Sequence, residues 1–126
     1  MDTDSRVLHE DLTKDIIGAA FDVHNALGCG LLEKVYENAL AWELALRKRA
    51  VTAQEEFRVS YKGKEMGVYY ADLVVDDKVV VEVKSVSDLG DVHRAQILNY
   101  LRISGIRVGL LLNFARPKLK FERFVV

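Results

Sequence analysis

Residues 69–86 read YYADLVVDDKVVVEVKSV, two apolar runs separated by the polar triplet Asp76-Asp77-Lys78. Strand-forming residues on both sides of turn-forming residues predict a β-hairpin. The almost continuous valine run of the second strand indicates burial on both faces, and therefore a central position in a sheet. We expect the rest of the chain to pack around this strand as one layered α/β domain.

Three charged residues, Asp72, Glu82 and Lys84, interrupt these apolar runs. An ionised side chain buried without a partner is costly, so such residues usually serve a site. Glu82 and Lys84 are two apart and leave the same face of their strand. A three-residue loop would pair Val75 with Val79 and place Asp72 opposite Glu82, whereas a two-residue loop would put Asp72 on the other face.

The expected pair of carboxylates, Asp72 and Glu82, suggests a metal-binding site. Opposed carboxylates repel each other unless a cation lies between them. Their hard oxygen atoms suit Mg²⁺ or Mn²⁺, which would keep several waters and bind a substrate phosphate. Lys84 could hold the attacking water or stabilise charge on the phosphate oxygens, as in metal-assisted phosphodiester hydrolysis. The alternative is a simple Glu82–Lys84 ion pair at a strand end near solvent.

The rest of the chain shows helical and strand patterns. Apolar residues at intervals of three and four predict helices over about Leu12–Leu27 and Leu32–Arg49, and a third helix is expected over Asp91–Ser104. Further strands are expected around Phe57–Tyr61 and over Gly67–Val75, Ile106–Asn113 and Leu119–Val125. The order ααβββαββ predicts a mixed sheet flanked by helices over residues 10–126, after a flexible lead-in at residues 1–9.

Composition narrows the class of protein. The chain has 126 residues, of which 50% are hydrophobic, enough for one compact domain without disulfides. Its lone Cys29 suits a reducing cytoplasm, and no run approaches 18 apolar residues, so no membrane partner is expected. The net charge of −1 argues against a general polyanion binder.

The charge is unevenly distributed along the chain. Residues 94–126 carry seven basic residues and one acidic residue, a balance of +6. This distribution predicts weak, salt-sensitive binding of nucleic acid on one face. A merely solvated basic face is the alternative.

Several blocks of the sequence resemble one group of nucleases. Asp72, Glu82-Val83-Lys84 and the helix that follows resemble the PD-(D/E)XK nuclease superfamily, although Ala71 occupies the place of its leading proline. The segment GLLEKVY at residues 30–36 is similar to the signature of the bacterial GxxExxY proteins. The blocks AQILNYLRISG and GLLLNF match as well, so the resemblance extends from about residue 12 onward.

The resemblance implies a divalent-metal-dependent nuclease, with DNA as its substrate and Mg²⁺ or Mn²⁺ as its cofactor. Its implied metal ligands are the carboxylates of Asp72, Glu82 and Glu33 and the carbonyl of Val83, and its catalytic residues are Asp72, Glu82, Glu33 and Lys84. Gln96 and Tyr100 are four residues apart and therefore lie on one side of their helix. They resemble the Q-x-x-x-Y motif of RecB-like nucleases. The resemblance implies that these two residues and Tyr36 contact the substrate. Glu33 has an alternative as a surface residue at a helix start.

A second class of function stays open. The same fold could serve as a non-catalytic nucleic-acid-binding or self-assembling module, because so small a core has no second domain for recognition. Self-association as a homo-oligomer would then supply the missing surface. Among the other conspicuous residues, we expect His24 to be hydrogen-bonded at the edge of the core, His93 to lie exposed at a helix start, and Trp42 to lie in the core or a subunit interface.

Overall fold

The computed structural model describes residues 8–126, which form three helices and five strands. In chain order these are α1 (Glu10–Leu27), α2 (Glu33–Leu46), β1 (Val51–Tyr61), β2 (Lys64–Val75), β3 (Val79–Lys84), α3 (Asp91–Ser104), β4 (Val108–Asn113) and β5 (Lys120–Val125). The predicted order and α/β class are confirmed. The expected lead-in falls mainly on residues 1–7, outside the described part of the chain. None of the three helices combines the length and apolar character that a bilayer crossing demands.

The five strands form one sheet in the order β1-β2-β3-β4-β5. Strands β3 and β4 are parallel, and the other neighbours are antiparallel. Helix α3 makes the crossover that a parallel pair requires. Strand β3 is central and its first five residues are buried, as its valine run predicts.

Side chains from the two faces of the sheet form two apolar clusters. The large core lies under α1 and α2 and includes Ile16, Leu40 and Leu110, all fully buried. The small core lies under α3 and includes Val80 and Leu101. Burying one such side chain stabilises the fold by about 1.5–3 kcal/mol, so the large core supplies most of the apolar stabilisation.

The hairpin between β2 and β3 has the predicted three-residue loop. Val75 pairs with Val79, and Leu73 pairs with Val81. Asp76 and Asp77 adopt positive φ angles of 53° and 56°, a region that Asp enters more readily than most residues. The same register, continued by one position, sets Asp72 opposite Glu82.

Helix α2 ends earlier than the sequence pattern predicts. It stops at Leu46, whereas the apolar and basic pattern extends to Arg49. Lys48 adopts a left-handed conformation with φ 67°, and Arg47 and Arg49 both reach Asp15 on α1. The two arginines therefore bind side chains of α1 and the chain turns away, instead of completing another turn of helix.

One side of α2 remains uncovered by the rest of the chain. Val35, Trp42 and Leu46 are 40%, 66% and 56% exposed, and with the half-buried Ala39 they follow one another at spacings of three and four residues. We call these four residues the α2 stripe. Trp42 is therefore not a core residue, which leaves the interface interpretation of this side chain.

Candidate active site

Two carboxylates meet where β2 and β3 run side by side. The Val83 N–H donates to Asp72 Oδ2 at 2.8 Å, and the Asp72 N–H donates to Glu82 Oε1 at 3.3 Å. Both side chains share the α3 face of the sheet with Val80 of the small core. The structure thus brings the two carboxylates together across neighbouring strands.

Glu82 is almost completely buried, at 2% exposure. Burial, followed by the negative charge of Asp72, raises the pKa of Glu82 to about 9. The isolated chain therefore keeps a proton on Glu82 at neutral pH, because two adjacent carboxylates in a low-dielectric site cannot both ionise. A divalent cation would relieve this repulsion, and the hard oxygen atoms present here fit Mg²⁺ or Mn²⁺.

Lys84 points toward helix α3. Its Nζ donates to Gln96 Oε1 at 2.8 Å, and Gln96 Nε2 donates to the Tyr100 hydroxyl at 3.2 Å. Within residues 8–126 it forms no ion pair with Glu82, so the simple ion-pair alternative does not describe this arrangement. The lysine, the amide and the phenol form one hydrogen-bonded chain beside the carboxylates.

Close packing of α3 on β4 holds this chain in place. A Cβ atom at Gly109 would lie only 2.9 Å from Ile97 Cδ1 and 3.1 Å from Ile97 Cγ1, so any larger residue would force the Ile97 side chain to shift. Tyr100 is 5% exposed. Burial, followed by the charge of Glu82, raises the pKa of its phenol, so the hydroxyl stays protonated and can donate a hydrogen bond.

Glu33 reaches the edge of the site from another direction. It is exposed in the first turn of α2, and its Oε2 accepts a hydrogen bond from the Ser85 N–H at 3.0 Å. In the part of the chain that is described, no three His, Cys, Asp or Glu side chains form a group that could hold a metal ion. Glu33 therefore binds the backbone of the residue after Lys84 and does not form a preformed three-carboxylate group with Asp72 and Glu82.

Tyr36 lies in the large core, away from this polar cluster. Its ring is fully buried and stacks on Phe114 with centroids 4.6 Å apart. Its hydroxyl donates to the Gly28 carbonyl at 2.6 Å and accepts from the Leu31 N–H at 3.2 Å. Both hydrogen bonds of the buried Tyr36 side chain are satisfied within the chain, so the structure does not bring it together with Asp72, Glu82 and Lys84. A contact of Tyr36 with substrate stays a prediction.

Comparison with a family model assigns the chain to a known superfamily. The model of the PD-(D/E)XK nuclease superfamily matches residues 10–124. The chain belongs to this superfamily. A search of curated proteins finds no match.

A solved structure shows the same fold as this PD-(D/E)XK chain. The crystal structure of SSO0001 resembles it with a TM-score of 0.59 and 21% sequence identity. The match covers 95% of this chain and 60% of that one, so the chain spans about three-fifths of the length of that structure. At this identity the likeness shows the fold alone.

Two residues near the site of this PD-(D/E)XK chain were not singled out from the sequence. Asn113 is buried at the end of β4, where its amide donates to the Val86 carbonyl at 2.8 Å and accepts from the Val86 N–H at 3.1 Å. Gln54 occupies the β1 position opposite Asp72, with φ 53°, and donates to Glu37 Oε1 at 2.6 Å. A polar residue closing the apolar run GLLLN was the available signal for Asn113, and none marks Gln54.

His24 and His93 each make a hydrogen bond to the backbone. His24 is 6% exposed, and its Nε2 is 2.8 Å from the Arg116 carbonyl, which confirms a bonded residue at the core edge. His93 Nδ1 accepts the Gly90 N–H at 2.9 Å at the start of α3, where the side chain is half-buried rather than exposed. Cys29 is exposed and unpaired.

Proposed function

We propose that this chain is a divalent-metal-dependent nuclease that hydrolyses phosphodiester bonds in DNA, with Mg²⁺ or Mn²⁺ as its cofactor. The observation that carries the proposal is the pair Asp72 and Glu82, opposed across β2 and β3, with Lys84 on the same face. The GLLEKVY segment at residues 30–36 supports narrower membership among the GxxExxY proteins. The lone Cys29 supports a cytoplasmic location.

Each residue of the site has a role in this mechanism. Asp72, Glu82 and the Val83 carbonyl would hold the cation, with Glu33 available from the edge of the site. When bound, the cation supplies positive charge at the phosphate and lowers the pKa of a coordinated water. Lys84 donates a hydrogen bond to the attacking water or to the developing charge on the phosphate oxygens.

Gln96 and Tyr100 position the lysine. The Tyr100 hydroxyl accepts from one end of the Gln96 amide, so the other end, the carbonyl oxygen, faces Lys84. A lysine held at its tip loses less conformational freedom when substrate arrives. Both side chains are also close enough to the carboxylates to contact a bound nucleic-acid strand.

Cleavage of DNA by the purified chain in Mg²⁺ or Mn²⁺ is the direct test. Asp72→Asn and Lys84→Ala should each reduce cleavage at least a hundredfold, because one removes a ligand and the other a transition-state contact. Asp77→Asn and Lys78→Ala make the same chemical changes at exposed positions of the β2–β3 loop and should leave cleavage unchanged. Cutting that survives both site substitutions would come from a contaminant and would contradict the proposal.

Calorimetric titration with Mg²⁺ and Mn²⁺ separates this proposal from a non-catalytic module on the same fold. The unmodified chain should bind the cation, and Asp72→Asn should weaken that binding. A chain that binds no divalent cation yet binds DNA would be a nucleic-acid-binding module and no hydrolase. The same measurements with RNA of equal sequence determine which polymer is preferred.

Self-association is a second proposed property, and the α2 stripe is the observation that favours it. A helical row at spacings of three and four packs best against another helix, and a second copy of the same helix gives a closed two-fold pair. The α2 stripe and the neighbouring Leu31 and Leu32 together expose on the order of 600 Å² of accessible surface. A stable dimer buries about 800 Å² on each partner, so these side chains could supply most of the interface.

A further inference from the structure

A groove lined by basic residues lies beside the proposed active site. Its volume is about 540 Å³, and it opens between the loop that precedes α3 and the start of β5. Its charged lining comprises the basic Arg94, Arg116, Lys118 and Lys120 and the acidic Asp88 and Glu122. We call it the β5 groove.

The arginines of the β5 groove are already neutralised. Arg94 holds Glu122 with two hydrogen bonds, of 2.7 and 2.9 Å. Arg116 pairs with Asp88 at 3.1 Å. These pairs fix the walls of the groove and leave little charge for a ligand.

Two lysines of the β5 groove carry charge that nothing neutralises. Lys118 and Lys120 are exposed, and within residues 8–126 the side chain of neither lysine makes an ion pair or a hydrogen bond. Four basic residues against two acidic ones leave the groove with two positive charges in excess. An excess of this kind, in a concave surface, attracts an anion.

The sheet register connects the β5 groove to the proposed site. Lys84 pairs with Asn113 on β4, and Asn113 pairs with Lys120 on β5. Neighbouring strands lie about 4.8 Å apart, so the backbone of Lys120 is about 10 Å from that of Lys84. Lys120 shares its face of the sheet with Glu122, and Glu122 is bound by Arg94 of α3. The side chains of Lys84, Asn113 and Lys120 therefore all lie on the α3 face.

We propose that the β5 groove binds the backbone phosphates of the nucleic-acid strand next to the bond that is cut, and that Lys118 and Lys120 make the contacts. The proposal rests on the proposed nuclease function. A strand whose cleaved phosphate lies at Lys84 would bring its neighbouring phosphates within reach of β5, because the backbones of Lys84 and Lys120 are only about 10 Å apart. Flexible lysine ammonium groups recognise phosphate as point charges, so the contact is independent of sequence and sensitive to salt.

The test measures affinity for labelled duplex DNA at several salt concentrations, in the full chain carrying Asp72→Asn so that the DNA stays intact. Lys118→Ala combined with Lys120→Ala should lower affinity about tenfold and should reduce the slope of log K against log salt by about 1.8, since each lost phosphate contact is worth about 0.9. Lys118→Arg with Lys120→Arg keeps both charges and should retain the affinity.

A matched control removes the same charge elsewhere. Lys14 on α1 and Lys78 in the β2–β3 loop are both exposed. Lys14 lies away from the α3 face, and Lys78 lies at the end of β3 opposite to Lys84. The alanine pair at these two positions should change affinity less than twofold. An equal loss from both alanine pairs would mean a general charge effect and would overturn the proposal.

The outcomes also separate this proposal from the proposed function. If the chain cuts DNA but its affinity for DNA does not depend on Lys118 and Lys120, the nuclease proposal stands and the proposed role of the β5 groove is overturned. A chain that neither cuts nor binds DNA or RNA overturns both. Circular dichroism of each variant shows whether it is folded, and the exposure of both lysines means that it should be.

Discussion

The hydroxyl of Tyr36 closes the loop between α1 and α2. It takes one hydrogen bond from Leu31 and gives one to Gly28, while its ring lies flat against Phe114. One residue thereby joins the loop, the helix and the end of β4. The loop leads directly into Glu33, so Tyr36 acts on the site through the position at which α2 begins.

Tyr36→Phe should lower the free energy of unfolding by about 1–3 kcal/mol, because the Gly28 carbonyl and the Leu31 N–H lose their partner while the ring stacking remains. Urea unfolding measures the change. Tyr61→Phe removes the same hydroxyl at a position 62% exposed and should have an effect below about 0.5 kcal/mol. Unchanged stability together with weaker DNA binding would instead favour a substrate contact for Tyr36.

Some residues of the candidate site could be predicted from sequence alone. The placement of Asp72 opposite Glu82 follows from period-two alternation and one loop length, both of which are local properties. Asn113 and Gln54 could not be found in this way, because their hydrogen bonds go to residues 27 and 17 positions away. The burial of Tyr36 leaves no local signal for a related reason: a helical period predicts which residues share a face, and the packing of other elements determines what covers that face.

At the level of elements, an ionic cluster fastens α1 to the end of α2 and the start of β1. Asp15 accepts from Arg47 at 2.7 Å and from Arg49 at 2.8 Å, and Arg49 continues to Asp76 at 3.2 Å. Burial alone would raise the pKa of Asp15. The hydrogen bonds from Arg49 and Arg47 outweigh burial, and the pKa of Asp15 lies below its ordinary value.

A lowered folded-state pKa makes the contribution of Asp15 depend on pH. The stabilisation is fully present above the unfolded-state pKa of about 3.9 and is lost as the pH falls through the lower folded-state value. Asp15→Asn should therefore cost about 1–2 kcal/mol of unfolding free energy at pH 7, with the difference from the unmodified chain shrinking below about pH 4.

Unfolding curves at a series of pH values measure this effect, with Asp77→Asn in the exposed β2–β3 loop as the control. That variant should follow the unmodified chain at every pH. A cost for Asp15→Asn that stays constant down to pH 2 would show that the carboxylate charge does not stabilise the fold.

The ends of elements were the least predictable part of the fold. The core of each helix and strand follows from periodicity, and α3 matches its predicted bounds of Asp91–Ser104. The end of α2 depends on Asp15, some thirty residues earlier in the chain, which draws Arg47 and Arg49 toward α1. A charge partner so distant in sequence leaves no local signal.

At the scale of the whole molecule, the α2 stripe predicts a dimer. Trp42→Glu places a charge at the centre of the stripe and should convert the dimer to a monomer, raising the dissociation constant at least tenfold, because an unpaired charge in an apolar interface is costly. Sedimentation velocity over a concentration series measures the change. Met66→Glu makes a comparable change at an exposed residue of β2, 55% accessible, and should leave the association unaltered.

A chain that sediments as a monomer at every concentration would contradict self-association through the α2 stripe. Dimers that survive Trp42→Glu would place the contact elsewhere on the surface. Cleavage assays on the monomeric variant then show whether one copy suffices, since the proposed site residues come from α2, β2, β3 and α3 of a single chain.

The two apolar cores affect how such a protein can evolve. The proposed catalytic side chains on β2 and β3 project over the small core, whereas the large core, on the opposite face of the sheet, supplies most of the apolar stabilisation. Substitutions under α1 and α2 change mainly the fraction of molecules that are folded. Substitutions under α3 alter the site while leaving most of that stability unchanged. Selection for a new substrate can therefore change residues on the α3 face while the large core keeps the chain folded.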